Sequence, residues 1–478
     1  VSARGLPLGR ADLIAAAAYV ALFAATYPPT FAIIDESAYL SSAYVLRAGT
    51  VYQDVAGVAS VSRVPSGEHE VGKFAPLWPA MLAAFTLPGW RGAFAAGLAV
   101  HVTGFLVFAA LLRRSGAPSW AALAYLAHPT LVLYSRTLMS DVAAGVAALL
   151  AWAAWRGEGR GAPVRAGLWL GTGCLVRYTN GVLAAIFLAA AAADDLRRRG
   201  DRPARSPGLL LGLLPPGVVL AVYNQAAFGK WWRGTAGYAD ERQGLGMEGQ
   251  FGAHELLPGI AHYGAALMLL WPLMPLALAA ARGRDAFVQR AVALGFTLFF
   301  CLYYWRDQAA GPLQTAVAGL RFLVPVLPLY LLPYAEWLGA RARAARPAGV
   351  AVAAAAAACA VTVSVRHQGM LEERAAERDR LLAVTAPGDR ILCDTGARKL
   401  VHPAWGDRRA ERVEFRGRWE LPDPRDAEGA WVAMAGRGRS AGSVPPLRDW
   451  LAAAGARELP SSEASPRLRL WRVPAERR

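Results

Sequence analysis

From Leu13 to Ile34 the chain carries no charged side chain. Runs of the same kind recur at Phe94–Leu112, Val142–Trp155, Gly208–Phe228, Leu256–Ala281 and Pro347–Val365. A helix of about 20 apolar residues crosses a bilayer. In lipid each backbone N–H and C=O must be satisfied within its own segment, so apolar runs of this length have to be helices. This feature restricts the chain to an all-α polytopic membrane protein. Composition agrees: 55% of the 478 residues are hydrophobic, and the mean hydropathy is +0.28.

The formal charge of +16 would suit a nucleic-acid binder, but its distribution argues for a membrane protein and against a nucleic-acid partner. The basic residues concentrate in short segments between apolar runs: Arg4/Arg10, Arg113-Arg114, Arg156 to Arg165, Arg197 to Arg205, Arg282 to Arg290 and Arg341 to Arg346. Cytoplasmic loops carry such an excess. Placing all of them inside gives spans at 12–33, 93–112, 117–134, 141–156, 164–176, 178–193, 208–226, 256–280, 286–305, 318–338 and 347–366. That makes about eleven helices in a domain covering 1–366, with the N-terminus cytoplasmic. The pair 164–176 and 178–193 is short enough to be one long tilted helix instead. The first run is too long for a signal-peptide core and reads as a retained span of an inner (plasma) membrane protein. Val1 fits a literally translated alternative start codon, and the excess of Arg over Lys fits a GC-rich bacterial genome.

Residues 74–88 are apolar but short and carry Pro76, Pro79 and Pro88. Counted as a span they would invert every later loop, so they are expected to form a re-entrant or surface-lying helix. The outer face then holds the loop 34–92, the turn 134–141, the loops 227–255 and 306–317, and a tail 367–478. The tail reads as a small extracytoplasmic α/β domain, with strands at Arg390–Cys393, Trp431–Met434 and Arg469–Arg472 and a helix at Pro446–Gly455. Four cysteines without a C-x-x-C indicate neither a disulfide framework nor a structural zinc.

Asp35-Glu36 stands where the first apolar run ends and opens the segment DESAYLSSAYVLRAG. Leu40, Ala43, Tyr44 and Leu46 fall near one face, and Gly49 offers a stop, which describes a helix along the membrane surface. Its N-terminus favours negative charge, so two readings stay open: a capped interfacial helix, or acids with a catalytic task. Asp141 stands at the start of a later span on the same expected membrane face, where a charge is costly enough to suggest function. Lys73, Arg136, Arg177 and Arg321 lie at or within apolar segments near that face. They are candidates for phosphate binding, with interfacial snorkelling as the alternative. Tyr39, one turn beyond Asp35, joins the candidate substrate-binding residues. The G-x-G-x-x-G at Gly244–Gly249 follows no strand and is rejected as a dinucleotide site. Glu68-His69-Glu70 is a weak metal trio, and neither a metal nor a cofactor is expected.

The runs IDESAYLSSAYVLRAGTVY, KFAPLWPAML, YSRTLMSDVAAG, GCLVRYTNGVL and LRFLVPVLPLYLL, spread over residues 33–332, resemble the protein O-mannosyltransferase and lipid A aminoarabinose-transferase superfamily of GT-C membrane glycosyltransferases. KFAPL carries Phe74-Ala75 where K-P-P-L is more usual. The resemblance implies transfer of a sugar from a polyprenyl-phosphate donor to a glycan, lipid or protein acceptor on the outer face. Asp35 matches the catalytic acid of the first loop, with Glu36 beside it. A carboxylate there takes the proton of the attacking hydroxyl, and cations stabilise the leaving phosphate. Attack opposite the phosphate inverts the anomeric carbon. Two other readings compete. A transporter or flippase would use Asp35, Asp141 and Arg177 as a charge relay and would break helices in corresponding halves. A scaffold would leave the acids solvated. A transferase requires Asp35 and several of the cations in one place.

Overall fold

The computed structural model describes residues 8–55, 63–197, 204–232, 251–303, 311–342, 346–394, 396–406, 408–415, 418–435, 445–461 and 467–475. The sequence motif at 244–249 lies outside them. The described chain is mostly helical, with one five-stranded mixed sheet and two two-stranded antiparallel pairs. Helix α1 (Arg10–Ala25) is followed by α2 (Ile34–Arg47), a hairpin of β1 (Arg63–Ser66) and β2 (His69–Gly72), and α3 (Leu77–Phe85). Then come α4 (Phe94–Arg114), α5 (Leu123–Leu126), α6 (Pro129–Ser135), α7 (Asp141–Trp155), α8 (Ala162–Val176), α9 (Asn180–Arg197) and α10 (Ser206–Phe228). The second half supplies α11 (Leu256–Leu270), α12 (Met274–Ala280), α13 (Ala286–Cys301), α14 (Pro312–Gly319), α15 (Leu327–Ala342) and α16 (Arg346–Val384).

Each expected span overlaps at least one helix, but the helices are less regular than hydropathy implies. Among the described residues, three helices are long and apolar enough to cross a membrane: Trp90–Arg114, Ser206–Phe228 and Val350–Val384. Two bent pairs raise this to five. Residues 253–280 bend by 97° and residues 312–340 by 112°. Pro272 and Pro275 flank the first break, where Leu273 takes φ 70, the one positive φ outside glycine among the described residues. Pro325 and Pro328 flank the second. The span expected at 117–134 is broken into short helices around His128-Pro129. The segments 164–176 and 178–193 remain two helices rather than one, because Arg177 adopts extended backbone between them (φ −154, ψ 121). Residues 74–88 form only the nine-residue α3.

Close packing uses small residues, as helices in lipid require. A Cβ on Gly167 would stand 2.0 Å from the Leu209 carbonyl oxygen, and one on Gly212 would stand 2.0 Å from that of Val164, so α8 and α10 cross on these glycines. The basic loops cohere as a group. Arg205 pairs with Asp285 at 3.1 Å and stacks on Trp155 at 3.6 Å, while Arg156 reaches Glu336 at 3.2 Å.

The domain boundary expected at 366/367 falls inside α16, a continuous helix of 39 residues. Its apolar half ends near Val365, but LEERAAERDRLL continues with strong helix formers and no glycine or proline. After it come β3 (Arg390–Cys393), β4 (Arg409–Arg412), β5 (Glu414–Phe415), β6 (Arg418–Trp419), β7 (Trp431–Met434), α17 (Pro445–Ala453), β8 (Arg457–Glu458) and β9 (Arg469–Arg472). The five-stranded sheet runs β4-β3-β7-β9-β8, with β3 parallel to β4 and β7 and with β9 antiparallel to β7 and β8. Alternation along the strands fills two cores. Leu392, Val432, Met434 and Trp471 pack with Leu447 and Trp450 of α17. Ile391, Cys393, Ala433 and Leu470 pack with Leu381 from the end of α16.

Candidate active site

Helix α2 begins at Ile34, immediately before Asp35. Its start is fixed by Glu36. The Glu36 Oε1 atom accepts from Ala32 N at 2.8 Å and Ile33 N at 2.7 Å, and Oε2 accepts from Leu138 N at 2.9 Å. The first two bonds satisfy helix-start donors, and the third ties the first loop to the turn before α7. Glu36 is fully buried, and burial pushes its carboxyl up, to about 7, against the pull of the three N–H donors.

Asp35 points the other way, into a network of opposite charges. Lys73 Nζ lies 3.6 Å from its Oδ1 and Arg321 Nη2 lies 3.4 Å from its Oδ2. Arg321 continues through Nε to Asp141 Oδ2 at 3.6 Å, and Arg177 Nη1 holds Asp141 Oδ1 at 2.8 Å. Three cations thus face two carboxylates, which leaves one positive charge in excess. The contacts of Lys73 and Arg321 to Asp35 are longer than a good charged hydrogen bond, so a stronger anion can displace them. Burial acts to raise the Asp35 carboxyl, but Lys73 and then Arg321 outweigh it and hold it below its ordinary value. Phe322 supports both guanidinium groups, with Arg321 5.5 Å and Arg177 6.0 Å from its ring centre.

Tyr39 lies one turn along α2. Its hydroxyl meets Ser140 Oγ at 2.7 Å, and its ring stacks on Phe74 with centroids 3.9 Å apart and planes 13° apart. Phe74 departs from the commoner proline, and the stack gives that departure a local role. It also carries Lys73, whose Nζ is 5.1 Å from the ring centre.

Seven of the eight sequence candidates therefore gather in one place: Asp35, Glu36, Tyr39, Lys73 and, across the bundle, Asp141 with its partners Arg177 and Arg321 make a connected set. Arg136 is not part of it. It is fully buried, donates through Nη1 to Thr26 Oγ1 at 2.6 Å and through Nη2 to the Thr26 carbonyl, and reaches Gln368 Oε1 at 3.2 Å. It joins the end of α1 to α16. Replacing it with Met is expected to cost about 1–3 kcal/mol through orphaned acceptors. A lower thermal midpoint is the expected result; an unchanged midpoint would show that these bonds do not hold α1 to α16.

The tail also reaches the first loop, which no sequence signal announced. His402 Nε2 lies 3.0 Å from Ser41 Oγ and 3.2 Å from the Ser37 carbonyl, while its Nδ1 accepts from Ala404 N at 3.0 Å. Those partners define a neutral ring protonated on Nε2, in keeping with burial that drives its pKa down to about 4. Trp405 stacks on Phe31 at 5.1 Å, and Arg378 donates to the Pro29 carbonyl at 2.9 Å. The short helix Ala397–Leu400 packs on α2 and brings Lys399 into the field of Glu36 and Asp35. Burial, then Arg374, lowers Lys399 to about 8. Two of the chain's three lysines, Lys73 and Lys399, thus approach the acidic pair from different sides.

His69 pairs with Asp54 at 2.7 Å, and no group of three His, Cys, Asp or Glu residues is placed to hold a metal among the described residues.

No protein-family model matches the chain, and neither does any curated protein. Solved structures do. ArnT from Cupriavidus metallidurans bound to undecaprenyl phosphate superposes with a TM-score of 0.62 at 13% identity, over 97% of this chain and 98% of that one. The same protein in the apo state gives 0.61 at 13% identity, again over 97% and 98%. The chain has the fold of ArnT along nearly its whole length, the GT-C type of architecture that its sequence runs resemble.

Proposed function

We propose that this protein is a membrane glycosyltransferase that moves a sugar from a polyprenyl-phosphate donor to an acceptor hydroxyl at the outer face of the membrane. The observation that carries the reading is the network Lys73–Asp35–Arg321–Asp141–Arg177, one carboxylate at the surface end of α2 held by cations that are loosely paired. The donor phosphate takes Lys73 and Arg321. Asp35 then loses the charges that keep its carboxyl acidic and becomes a better base for the acceptor proton. The acceptor oxygen attacks the anomeric carbon opposite the phosphate, with inversion, and the cations stabilise the departing phosphate. Asp141 and Arg177 hold Arg321 in place. Tyr39 shapes the site wall through Phe74 and Ser140, and Glu36 is a positioning residue that sets the direction of Asp35. The N-terminus and the basic loops are cytoplasmic in this reading, and the sheet-bearing tail caps the outer face.

Polyprenyl-phosphate binding to protein in lipid nanodiscs tests the donor site. Lys73→Ala and Arg321→Ala are each expected to weaken it about tenfold or more, the loss of one charge-assisted contact. Equal affinity in wild type and both variants would remove the phosphate from this place.

A further inference from the structure

On α2, Asp35, Tyr39, Ser42 and Leu46 share one stripe. Ser42 lies about 10 Å beyond Asp35 along the axis. There the stripe meets a cleft lined by Ser42, Gln53, Gly72, Phe74, Pro76 and Tyr223. The hairpin before α3 contributes Gly72 to it and is held against the end of α10 by Ser66 Oγ, which donates to the Ala227 carbonyl at 2.5 Å. The cleft as a whole has room for about one hydroxyl-sized group.

Gln53 is 1% exposed, and neither its Oε1 nor its Nε2 has a hydrogen-bond partner among the described residues. Its backbone is fixed, with N donating to the Glu70 carbonyl at 2.7 Å. A buried amide left with both ends open is costly unless something fills them. The backbone at Gly72 leaves the space: a Cβ there would stand 2.5 Å from Ser42 Oγ and 3.1 Å from Gln53 Nε2. Ser42 donates to the Ala38 carbonyl at 3.0 Å, so its oxygen can still accept. An amide that both donates and accepts, a hydroxyl oxygen that accepts, and a wall of Phe74, Pro76 and Tyr223 match a saccharide, with hydroxyl edges and an apolar ring face.

We propose that this cleft is a saccharide subsite for the acceptor, in which Gln53 holds a hydroxyl of a sugar unit next to the one that reacts at Asp35. The assignment to the acceptor rests on the transferase reading above. The stacked Tyr39 and Phe74 lie between Asp35 and Ser42 along the α2 stripe.

Saturation-transfer NMR on the protein in nanodiscs, saturated with polyprenyl phosphate, tests this with methyl α-mannoside, methyl β-galactoside and methyl β-glucoside as probes. Ring-proton signals are expected from at least one probe in wild type and in Asp35→Asn. They should fall about tenfold in Gln53→Leu, which removes both polar ends, and in Gly72→Ala, which fills the cleft. Gln53→Leu should unfold no earlier than wild type. No signal from wild type, or equal signals in wild type and both variants, would overturn the subsite; so would a lowered thermal midpoint in Gln53→Leu, which would mean that the amide already has a partner such as a bound water. Binding here needs no turnover. An inactive wild type that binds the glycosides would therefore sink the transferase reading and leave the saccharide site standing.

Discussion

Asp35→Asn is expected to lower sugar transfer by about 10²–10⁴-fold, the usual contribution of a positioned general base. Asparagine keeps the shape of the side chain and cannot take a proton. Affinity for polyprenyl phosphate should hold or rise, because Lys73 and Arg321 lose the carboxylate that competes for them. The pH dependence adds a sign. Burial raises the Asp35 carboxyl and the two cations overcome it, so the folded value sits below the ordinary 3.8. Asp35 acts as a base only above that value. Lys73→Met or Arg321→Met removes a stabilising charge, raises the Asp35 pKa, and moves the acid limb of the kcat/KM profile to higher pH. An acid limb that stays in place or moves lower in both variants would show that Asp35 is not the titrating group.

Glu36→Gln is expected to damage the fold more than the chemistry. The glutamine amide places an NH₂ where Glu36 Oε2 accepts from Leu138 N, or where Oε1 accepts from Ala32 and Ile33. Each donor left without an acceptor costs about 1–3 kcal/mol, and Glu36→Ala orphans all three. Both variants should lower the thermal midpoint, Ala more than Gln. The folded carboxyl, at about 7, stands above its ordinary 4.5. Its protonation therefore contributes stability that is fully present below about 4.5 and lost as pH rises through about 7. Neither variant should retain that slope. A Glu36→Gln protein with an unchanged midpoint and no transfer would make Glu36 a partner in catalysis.

The sequence disclosed the parts of this molecule that depend on local pattern. Apolar length announced the membrane helices, β-branched and aromatic runs announced Arg390–Cys393, Trp431–Met434 and Arg469–Arg472, and the helix expected at Pro446–Gly455 is Pro445–Ala453. Asp35, Lys73, Asp141, Arg177 and Arg321 were readable as charges placed where lipid makes charge costly. Arg136 looked the same to that argument. Its partners Gln368 and His367 sit on α16 past the point where hydropathy ends, so only the continuous helix reveals a structural anchor. Hydropathy could not carry the boundary either, since helix propensity continues after Val365. Glu36 and Asp35 are neighbours in sequence with the same charge, and only the folded chain gives them different surroundings, backbone N–H groups for Glu36 and cations for Asp35. Gln53 had no signal at all, because an uncharged residue in a loop becomes notable only when its neighbours leave it unpaired.

One measurement bears most directly on the central claim. Membranes or nanodiscs containing the wild type and Asp35→Asn are incubated with polyprenyl-phosphate donors carrying labelled sugars, in the presence of membrane acceptors. Wild type is expected to release polyprenyl phosphate and to place label on an acceptor, while Asp35→Asn binds the donor and does neither. Equal release and equal labelling by the two proteins would contradict the account.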